Sequence, residues 1–414
     1  MANPIAIAGS NVGSGSLITP GGAQGVQGIQ GPTSVSADAG NIAQLGSDNL
    51  ILVPQTTLWS QRLRSFNAVG NPTFEVDQAN VGTLLTNPAN ATRIVDRWWW
   101  NKVGTMTVNT QLTAGLVNIP GTNFAIARNY VRLTLTGQEA SLGANDFIAV
   151  YQTPEGSQFR ELINDVHSIS VLVRSSVAPL SFGIAIGDQS TSTQSLTKLA
   201  TISTANTWTL LPFSNLPVFP PAGNWTTAPG TTGQILRINL AAGSSIMNSA
   251  NDVWVASGGR SGAVGQDNWC AKAVNSTFDI AFCQWEPGPI STTPIDKPFV
   301  QNFEECLRYY CKTYDYTMKA GTVNDVGELS GSVISSYLPS PVRFPKPMAK
   351  SPTAVAYSPR GAGAANAIYL IVANSQYGVS SIPTSQTGIL YLVLSGAPAA
   401  GDWAIWHYAA DTGM

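Results

Sequence analysis

Short apolar runs that alternate with polar residues recur along the middle of the chain, separated by turn-forming residues. Such a run predicts a strand with one buried face, because successive side chains of a strand point to opposite sides. The number of these runs between residues 57 and 290 is typical of a jelly-roll β-sandwich. The predicted strands are Tyr130 to Leu135, Phe147 to Tyr151, Ile169 to Val173, Leu180 to Ile186, Trp208 to Pro212, Ile235 to Leu240, Val253 to Ala256 and Phe278 to Phe282.

The pattern changes after Pro294, where residues 296–414 predict a smaller α+β domain. Asp296 and Pro298 are typical of a helix start, and apolar residues near one face predict a helix near 297–312. Strand-like segments follow it at Tyr314 to Lys319, at Ser330 to Leu338, and near 353–358, 366–373, 388–394 and 402–409. The predicted fold is therefore mainly β, with a jelly-roll sandwich and a C-terminal β-rich domain that carries one helix.

The first 56 residues lack this periodicity. Residues 1–21 are small and uncharged, which is typical of a flexible anchoring arm. In residues 22–56, glycine recurs every third position before a short apolar neck, at Gly22, Gly25, Gly28 and Gly31. Only glycine fits where three collagen-like chains meet, so the spacing predicts a short trimeric stalk. The alternatives are a plain glycine-rich linker and, for the neck, a lone edge strand.

Charged residues make up 11% of the 414-residue chain, against roughly 25% in ordinary soluble domains. The net charge of -2 provides no electrostatic surface for nucleic acid. The first basic residue is Arg62 and no apolar run has the length of a membrane helix. We therefore expect synthesis in a cytoplasm followed by assembly, without membrane insertion.

The residues that usually perform catalysis are scarce. The chain has 2 histidines, and its 4 cysteines form no C-x-x-C pair, which favours buried free thiols over zinc ligands. No nucleophile, zinc-protease or phosphate-loop motif is present. Paired carboxylates, such as Asp77 with Asp96 or Glu155 with Glu161, have no spacing that favours a shared cleft. We expect no enzymatic activity.

One stretch carries a family resemblance. It consists of a Q-x-E-x-G phrase, a proline-containing link and an F-E-x-C-x-R-Y-Y-x-K-x-Y phrase, with matching residues Gln284, Glu286, Gly288, Phe303, Glu304, Cys306, Arg308, Tyr309, Tyr310, Lys312 and Tyr314. This resembles a domain pair of bacteriophage virion proteins, which include tail fibres, head fibres and capsid decoration proteins. The chain departs from that pattern at Trp285, where leucine is more common.

A second resemblance concerns the sandwich itself. The segment Asn71 to Glu75 matches an opening N-x-x-F-E of carbohydrate-binding jelly-roll modules, and Asp279 lies in the last predicted strand. In such modules an opening Glu and a late Asp commonly help to bind a structural calcium, which prefers oxygen ligands. The resemblance therefore nominates Glu75 and Asp279 for calcium. The alternative is that Glu75 accepts backbone hydrogen bonds and Asp279 is solvated.

Tryptophans are the candidates for glycan contact. In a strand, Trp98 and Trp100 would share one face, and Trp99 would lie on the other. We expect two of the three in the core, which leaves Trp99 as a candidate contact. Trp225 lies in a proline-rich loop, Pro220 to Gly233, that has no strand pattern and is expected at a domain tip.

The phage resemblance implies a virion structural protein, a homotrimeric head fibre or capsid decoration subunit attached through its N-terminal arm. One alternative is a tail fibre that recognises a host surface glycan. Another is a polysaccharide-degrading tailspike, although the chain has no solenoid repeats. Expected partners are two further copies of the chain and a capsid or tail protein, together with a host glycan in the tail-fibre alternative.

Overall fold

The computed structural model describes residues 44–45, 51–52, 66–188, 193–256 and 260–414. The chain divides into two compact units, Met1–Gln61 and Arg62–Met414. In the first unit, strand β1 (Gln44–Leu45) pairs antiparallel with β2 (Ile51–Leu52). The glycines of the predicted stalk, Gly22, Gly25, Gly28 and Gly31, lie outside the described residues, so the stalk stays a prediction.

The described residues confirm the mainly β fold class, with 44% strand and 4% helix. Strands β3 to β14 form a sandwich and are, in chain order, Thr92–Val95, Trp98–Val103, Thr107–Asn118, Ala125–Gly137, Phe147–Gln152, His167–Ser175, Leu180–Asp188, Gln194–Ile202, Thr209–Leu216, Gln234–Ala242, Trp254–Ala256 and Thr277–Pro287. A one-turn helix α1 (Gly156–Phe159) follows β7. In the described part of the chain, no helix combines the length and apolar character needed to cross a membrane.

The sandwich consists of two antiparallel sheets. Sheet A has seven strands in the order β13-β10-β9-β12-β7-β4-β3, and sheet B has five in the order β11-β8-β14-β6-β5. Every predicted run in this region overlaps one of these strands. Strands β3, β5 and β10 were not predicted. In β5 and β10, polar residues such as threonine and glutamine weaken the apolar alternation.

The sandwich core lies between the two sheets. Strand β8 shows how the pattern builds it, since Ile169, Val171 and Val173 face the core while Arg174 faces outward. Trp98 and Trp100 are fully buried in this core, which confirms that two of the three consecutive tryptophans pack inside. Large aromatic side chains dominate such cores because each removes a large apolar area from water.

The C-terminal domain begins with helix α2 (Phe299–Cys306), the longest helix of the described residues. Strands β15 to β25 follow at Tyr310–Lys312, Leu329–Ser332, Tyr337–Leu338, Val342–Arg343, Thr353–Tyr357, Ala367–Leu370, Ser375–Ser381, Thr384–Ser385, Gly388–Ile389, Leu392–Leu394 and Trp403–Asp411. Strand β25 pairs with β15, β16, β19 and β20, and these strands enclose a separate apolar core that includes Leu338, Ile368 and Trp406.

Two details of the predicted C-terminal domain are wrong. The helix ends at Cys306 instead of near residue 312, because Tyr310–Lys312 pairs with β25. The predicted strand Tyr314 to Lys319 is a turn, closed by the Met318 amide, which donates to the Asp315 carbonyl at 3.0 Å. At the helix end a tertiary contact outweighs the local preference, whereas at residues 315–318 a local turn replaces the predicted strand.

His167 makes the stability of the sandwich depend on pH. The residue is fully buried, and its Nδ1 accepts a hydrogen bond of 3.1 Å from Trp285 Nε1. Burial lowers the pKa of His167 from 6.5 to about 3. Between these values the unfolded chain binds a proton that the folded protein does not, so stability decreases as pH falls below 6.5.

We expect protonation of His167 in the unfolded chain to lower the free energy of unfolding by about 2 kcal/mol as the pH falls from 6 to 4.5. Urea unfolding followed by tryptophan fluorescence at several pH values measures this slope. The variant His167→Gln keeps a polar side chain but does not titrate, so its slope should be smaller by that amount. Equal slopes for both proteins would contradict the prediction.

Candidate functional site

The outer face of sheet B carries a row of polar and aromatic side chains, which we call the arginine row. Strand register places Arg174 of β8 opposite Asp279 of β14, and Asp279 opposite Arg132 of β6. Arg132 lies opposite Gln111 of β5 at one end. At the other end Trp208 precedes β11, and its ring centroid lies 4.5 Å from the guanidinium of Arg174.

Asp279 is the centre of this row. Arg132 donates to its two oxygens from Nε at 2.8 Å and from Nη2 at 2.9 Å. Arg174 donates to one of these oxygens from Nε at 2.9 Å and from Nη2 at 2.6 Å. Asp279 is 1% exposed, whereas the side chains of Arg132 and Arg174 are 35% and 23% exposed. The carboxylate therefore fixes two guanidinium groups at the edge of solvent.

Each guanidinium keeps hydrogen-bonding capacity. A guanidinium has five N–H donors, and the bonds to Asp279 use two from each arginine. The two arginines and one aspartate leave a net positive charge on this part of the sheet. A carboxylate or phosphate of a ligand would find two pre-oriented guanidiniums here, which is the geometry that recognises such groups in bidentate fashion.

Aromatic rings border the arginines. Tyr130, in the neighbouring row, packs edge to face on Trp208 with ring centroids 5.4 Å apart. The guanidiniums of Arg132 and Arg174 lie 5.3 Å and 5.2 Å from the Tyr130 ring centroid. Trp208 is half-buried, so part of its ring borders the solvent. Tyr130 itself is buried, so Trp208 is the ring that a ligand could reach. An aromatic ring beside hydrogen-bonding groups is suited to sugars, which have both apolar faces and hydroxyl groups.

Another part of this face is covered by the link to the C-terminal domain. Glu286 accepts hydrogen bonds from the Thr292 amide at 2.7 Å and from its hydroxyl at 2.6 Å. Gln284 accepts from the Ile295 amide at 3.1 Å and donates to Glu286 at 2.8 Å. Two residues of the Q-x-E-x-G phrase thus hold the link against sheet B, and a buried apolar cluster that includes Leu172 and Phe282 lies on the same sheet.

The second phrase of the phage resemblance holds the C-terminal domain against the sandwich. Glu155 is 1% exposed and accepts from Arg308 Nε at 2.9 Å, Arg308 Nη2 at 2.7 Å and the Tyr309 hydroxyl at 2.6 Å. The Gly230 amide adds a fourth hydrogen bond at 2.6 Å. Burial favours a higher pKa for Glu155, but these hydrogen bonds outweigh burial and lower the pKa to about 2.

The two tryptophans predicted to contact glycan are both half-buried. Trp225 lies among Phe159, Phe219 and Trp254, and its Nε1 donates to the Pro220 carbonyl at 2.7 Å. Trp99 lies on the outer face of sheet A, where the guanidinium of Arg93 is 4.4 Å from its ring centroid. The structure does not bring either residue to the arginine row, and their glycan contact stays a prediction.

Glu75 and Asp279 do not fit a shared calcium site as the structure places them. Asp279 is bound by two guanidinium groups, whose positive charge would repel a cation at the same oxygens. Glu75 interacts with Asp296 and Arg128 instead. Burial and the charge of Asp296 raise the pKa of Glu75, and the charge of Arg128 opposes that rise. Among the described residues, no three histidine, cysteine, aspartate or glutamate side chains form a group that could hold a metal ion.

The four cysteines are buried and free, which confirms that reading of the sequence. Tyr130, Arg132 and Arg174 were not predicted as site residues from the sequence. The alternation of the predicted strands could have indicated two of them. Arg132 occupies an outward position in one predicted strand, and Arg174 directly follows another. Only the order of strands in sheet B shows that these positions are neighbours.

Comparison with protein-family models gives no match, and no curated protein matches the chain. Several solved structures are similar in fold. The carbohydrate-binding module TmCBM61, in complex with β-1,4-galactotriose, matches with a TM-score of 0.27 and 11% identity, over 54% of this chain and 100% of that one. The family 11 carbohydrate-binding module from Clostridium thermocellum matches with a TM-score of 0.25 and 12% identity, over 50% of this chain and 98% of that one.

A bacteriophage protein is also among these structures. The enzymatically active domain of tailspike protein 4 from bacteriophage CBA120 matches with a TM-score of 0.25 and 11% identity, over 55% of this chain and 22% of that one. Structural neighbours of the chain thus include carbohydrate-binding jelly-roll modules and a phage tailspike domain. Similarity at this level carries no argument about the function of this chain.

Proposed function

We propose that this chain is a bacteriophage virion surface protein whose β-sandwich binds an acidic glycan on the arginine row. The observation that carries the glycan part is the pair of guanidiniums held by Asp279 beside the half-buried ring of Trp208. Carboxylated or phosphorylated sugars combine an anion with an apolar ring face, and the row offers a partner for each.

The virion part of the proposal rests on the phage-type phrases and on what their residues do. Gln284 and Glu286 hold the link on the sandwich, while Arg308 and Tyr309 bind Glu155. These contacts would keep two β-rich domains in one rigid unit, as a projecting fibre requires. We propose a homotrimeric head fibre or capsid decoration subunit, assembled in the host cytoplasm and attached through residues 1–21.

A tail fibre that recognises host glycan is the second candidate, and the same arginine row favours it. A receptor-binding protein needs a solvent-facing glycan site, which a purely structural capsid subunit does not. The two candidates differ in the attachment point of the N-terminal arm. Electron microscopy of the intact virion with labelled N-termini distinguishes capsid from tail, and deletion of residues 1–21 should abolish attachment at either location.

We propose binding without cleavage of the glycan. Glycoside hydrolysis generally needs two carboxyl groups that flank the scissile bond. Asp279 is committed to two arginines, and Asp77 accepts hydrogen bonds from the Asn80 and Gly82 amides at 3.0 Å and 2.7 Å. Glu155 is committed to Arg308 and Tyr309. These contacts favour a structural role for each of the three carboxylates, whereas a depolymerase would need two of them available for catalysis.

The glycan proposal is tested by affinity electrophoresis in gels that contain alginate or hyaluronan as acidic probes and dextran as a neutral one. We expect the acidic polysaccharides to retard the protein. Replacing Arg132 with alanine should weaken the binding about tenfold, since a charged hydrogen bond is lost. The matched control is Arg160→Ala, because the Arg160 side chain is 69% exposed and pairs with Glu161 away from the row.

Two results would contradict the glycan proposal. The first is that neither acidic polysaccharide retards the wild-type protein. The second is that the acidic polysaccharides retard Arg132→Ala and Arg160→Ala equally, while circular dichroism shows both variants to be folded. In either case the row would be a structural ion-pair network on an open sheet face.

A further inference from the structure

A pocket of about 330 Å³ opens where the sandwich meets the C-terminal domain, and we call it the junction pocket. It lies within the compact unit Arg62–Met414. Its volume is at the lower end of the range for small-molecule sites, which suits a ligand of one ring. The residues that matter for its chemistry are Glu75, Leu112, Arg128, Asn129, Phe299 and Tyr316.

The wall of the pocket is fixed by hydrogen bonds between the two domains. The Tyr316 hydroxyl donates to the Glu75 carbonyl at 3.0 Å and accepts from the Asp77 amide at 3.0 Å. Asp77 itself accepts from the amides of Asn80 and Gly82, so its carboxylate is occupied within the wall. The pocket is therefore preformed, and a ligand would not have to order it on binding.

Polar side chains border the pocket. Within the ranges that the structure describes, the side chains of Arg128 and Asn129 make no hydrogen bond or close ion pair, although the Arg128 guanidinium attracts the carboxyl groups of Glu75 and Asp296. Glu75 is half-buried. Its pKa is raised mainly by burial and, to a smaller extent, by repulsion from Asp296. A guanidinium, an amide and a carboxyl group together supply donors and acceptors on one rim.

An exposed aromatic ring completes the pocket. Phe299 is 42% exposed although its ring is held in place by neighbours. It stacks on Phe303 with centroids 5.9 Å apart and meets Tyr316 edge to face at 5.5 Å. A rigid ring that borders polar groups offers the apolar surface on which the C–H face of a sugar packs, while the sugar hydroxyls reach the rim.

Charge limits the class of ligand. Glu75 and Asp296 place two carboxyl groups against the single guanidinium of Arg128. A negatively charged ligand would be repelled here, in contrast to the arginine row, where positive charge prevails. We propose that the junction pocket binds one neutral pyranose residue, stacked on Phe299 and hydrogen-bonded to Arg128, Asn129 and Glu75.

The inference extends the proposed function and rests on it for the source of the sugar. Arg128, Tyr130 and Arg132 alternate along β6 and so share a side of this strand. Arg128 and Arg132 are four residues apart, which is about 13 Å along a strand. A neutral sugar attached to an acidic glycan could thus occupy the pocket while the acidic group contacts the arginine row.

The test uses the full chain and saturation-transfer NMR with the methyl pyranosides of glucose, galactose, mannose and N-acetylglucosamine. We expect at least one of them to bind the wild-type protein, and Phe299→Ala to weaken that binding about tenfold because the stacking surface is lost. Glu75→Gln should weaken it less. The matched control is Phe124→Ala, since Phe124 is 57% exposed and does not line the pocket.

The outcomes separate this inference from the proposed function. The pocket assignment is overturned if none of the methyl pyranosides binds, or if Phe299→Ala and Phe124→Ala bind equally while both are folded. Retained alginate or hyaluronan binding in that case leaves the proposed function intact. Loss of binding in Arg132→Ala but not in Phe299→Ala would place the neutral sugar on the arginine row, which also overturns the assignment.

Discussion

The variant Glu155→Gln is expected to lower the unfolding free energy by about 3 kcal/mol, because it removes a buried carboxylate charge that accepts four hydrogen bonds, although the Arg308 partner is partly exposed. Glu155 is 1% exposed and receives hydrogen bonds from Arg308, Tyr309 and Gly230. Glutamine has nearly the same shape, so the loss reports charge and hydrogen bonding instead of a cavity. Urea unfolding at pH 7 measures the change.

A control and a second condition sharpen this prediction. Glu161→Gln removes a carboxylate whose partner Arg160 is 69% exposed, and we expect a change below about 0.5 kcal/mol. Since the pKa of Glu155 is lowered to about 2 from 4.5, its contribution is present above pH 4.5 and is lost as pH falls toward 2. The difference between wild type and Glu155→Gln should therefore narrow in acid. Equal stability of the two proteins at pH 7 would contradict the ion-pair assignment.

Asp279→Ala is expected to cost about 3 kcal/mol, since it removes a buried carboxylate that accepts four hydrogen bonds from two partly exposed guanidiniums. Arg132 and Arg174 would then lie side by side on sheet B without a counter-charge. Measuring the melting temperature with and without EDTA distinguishes the ion-pair role of Asp279 from calcium ligation. If Asp279 serves the arginines, EDTA should leave the melting temperature of the wild-type protein unchanged.

The double variant Asp279→Ala with Arg174→Ala provides the control for Asp279. Removing one guanidinium relieves the repulsion, so the double variant should be more stable than Asp279→Ala alone. A fall in the wild-type melting temperature on addition of EDTA, restored by calcium, would overturn the ion-pair assignment and support the calcium reading of Glu75 and Asp279. Differential scanning calorimetry measures all of these quantities.

The phage-type phrases acquire a physical explanation from the structure. Gln284 and Glu286 bind the amides of the link, and Arg308 and Tyr309 bind Glu155 across the junction. Lys312 donates to the Gln78 carbonyl at 2.8 Å, which adds another contact between the two domains. These residues hold one domain on the other, so their chemistry is structural even where the residue types resemble those of a catalytic site.

The sequence alone determined the elements with strong alternation. Strand β8 was predicted because Ile169, Val171 and Val173 recur at every second position, which is a local property of the chain. The burial of Trp98 and Trp100 followed from the same period. The helix was located correctly but made too long, since only the pairing of Tyr310–Lys312 with β25 ends it at Cys306.

The tertiary structure alone decided the candidate sites. Arg132, Arg174 and Asp279 belong to three strands far apart in the chain, and only the order β8-β14-β6 places them side by side. The junction pocket likewise joins Glu75 and Arg128 of the sandwich to Phe299 of the C-terminal domain. Local periodicity fixes which face of a strand a residue occupies, because that depends on its immediate neighbours. It does not fix which strands become neighbours, because that depends on packing of the whole chain.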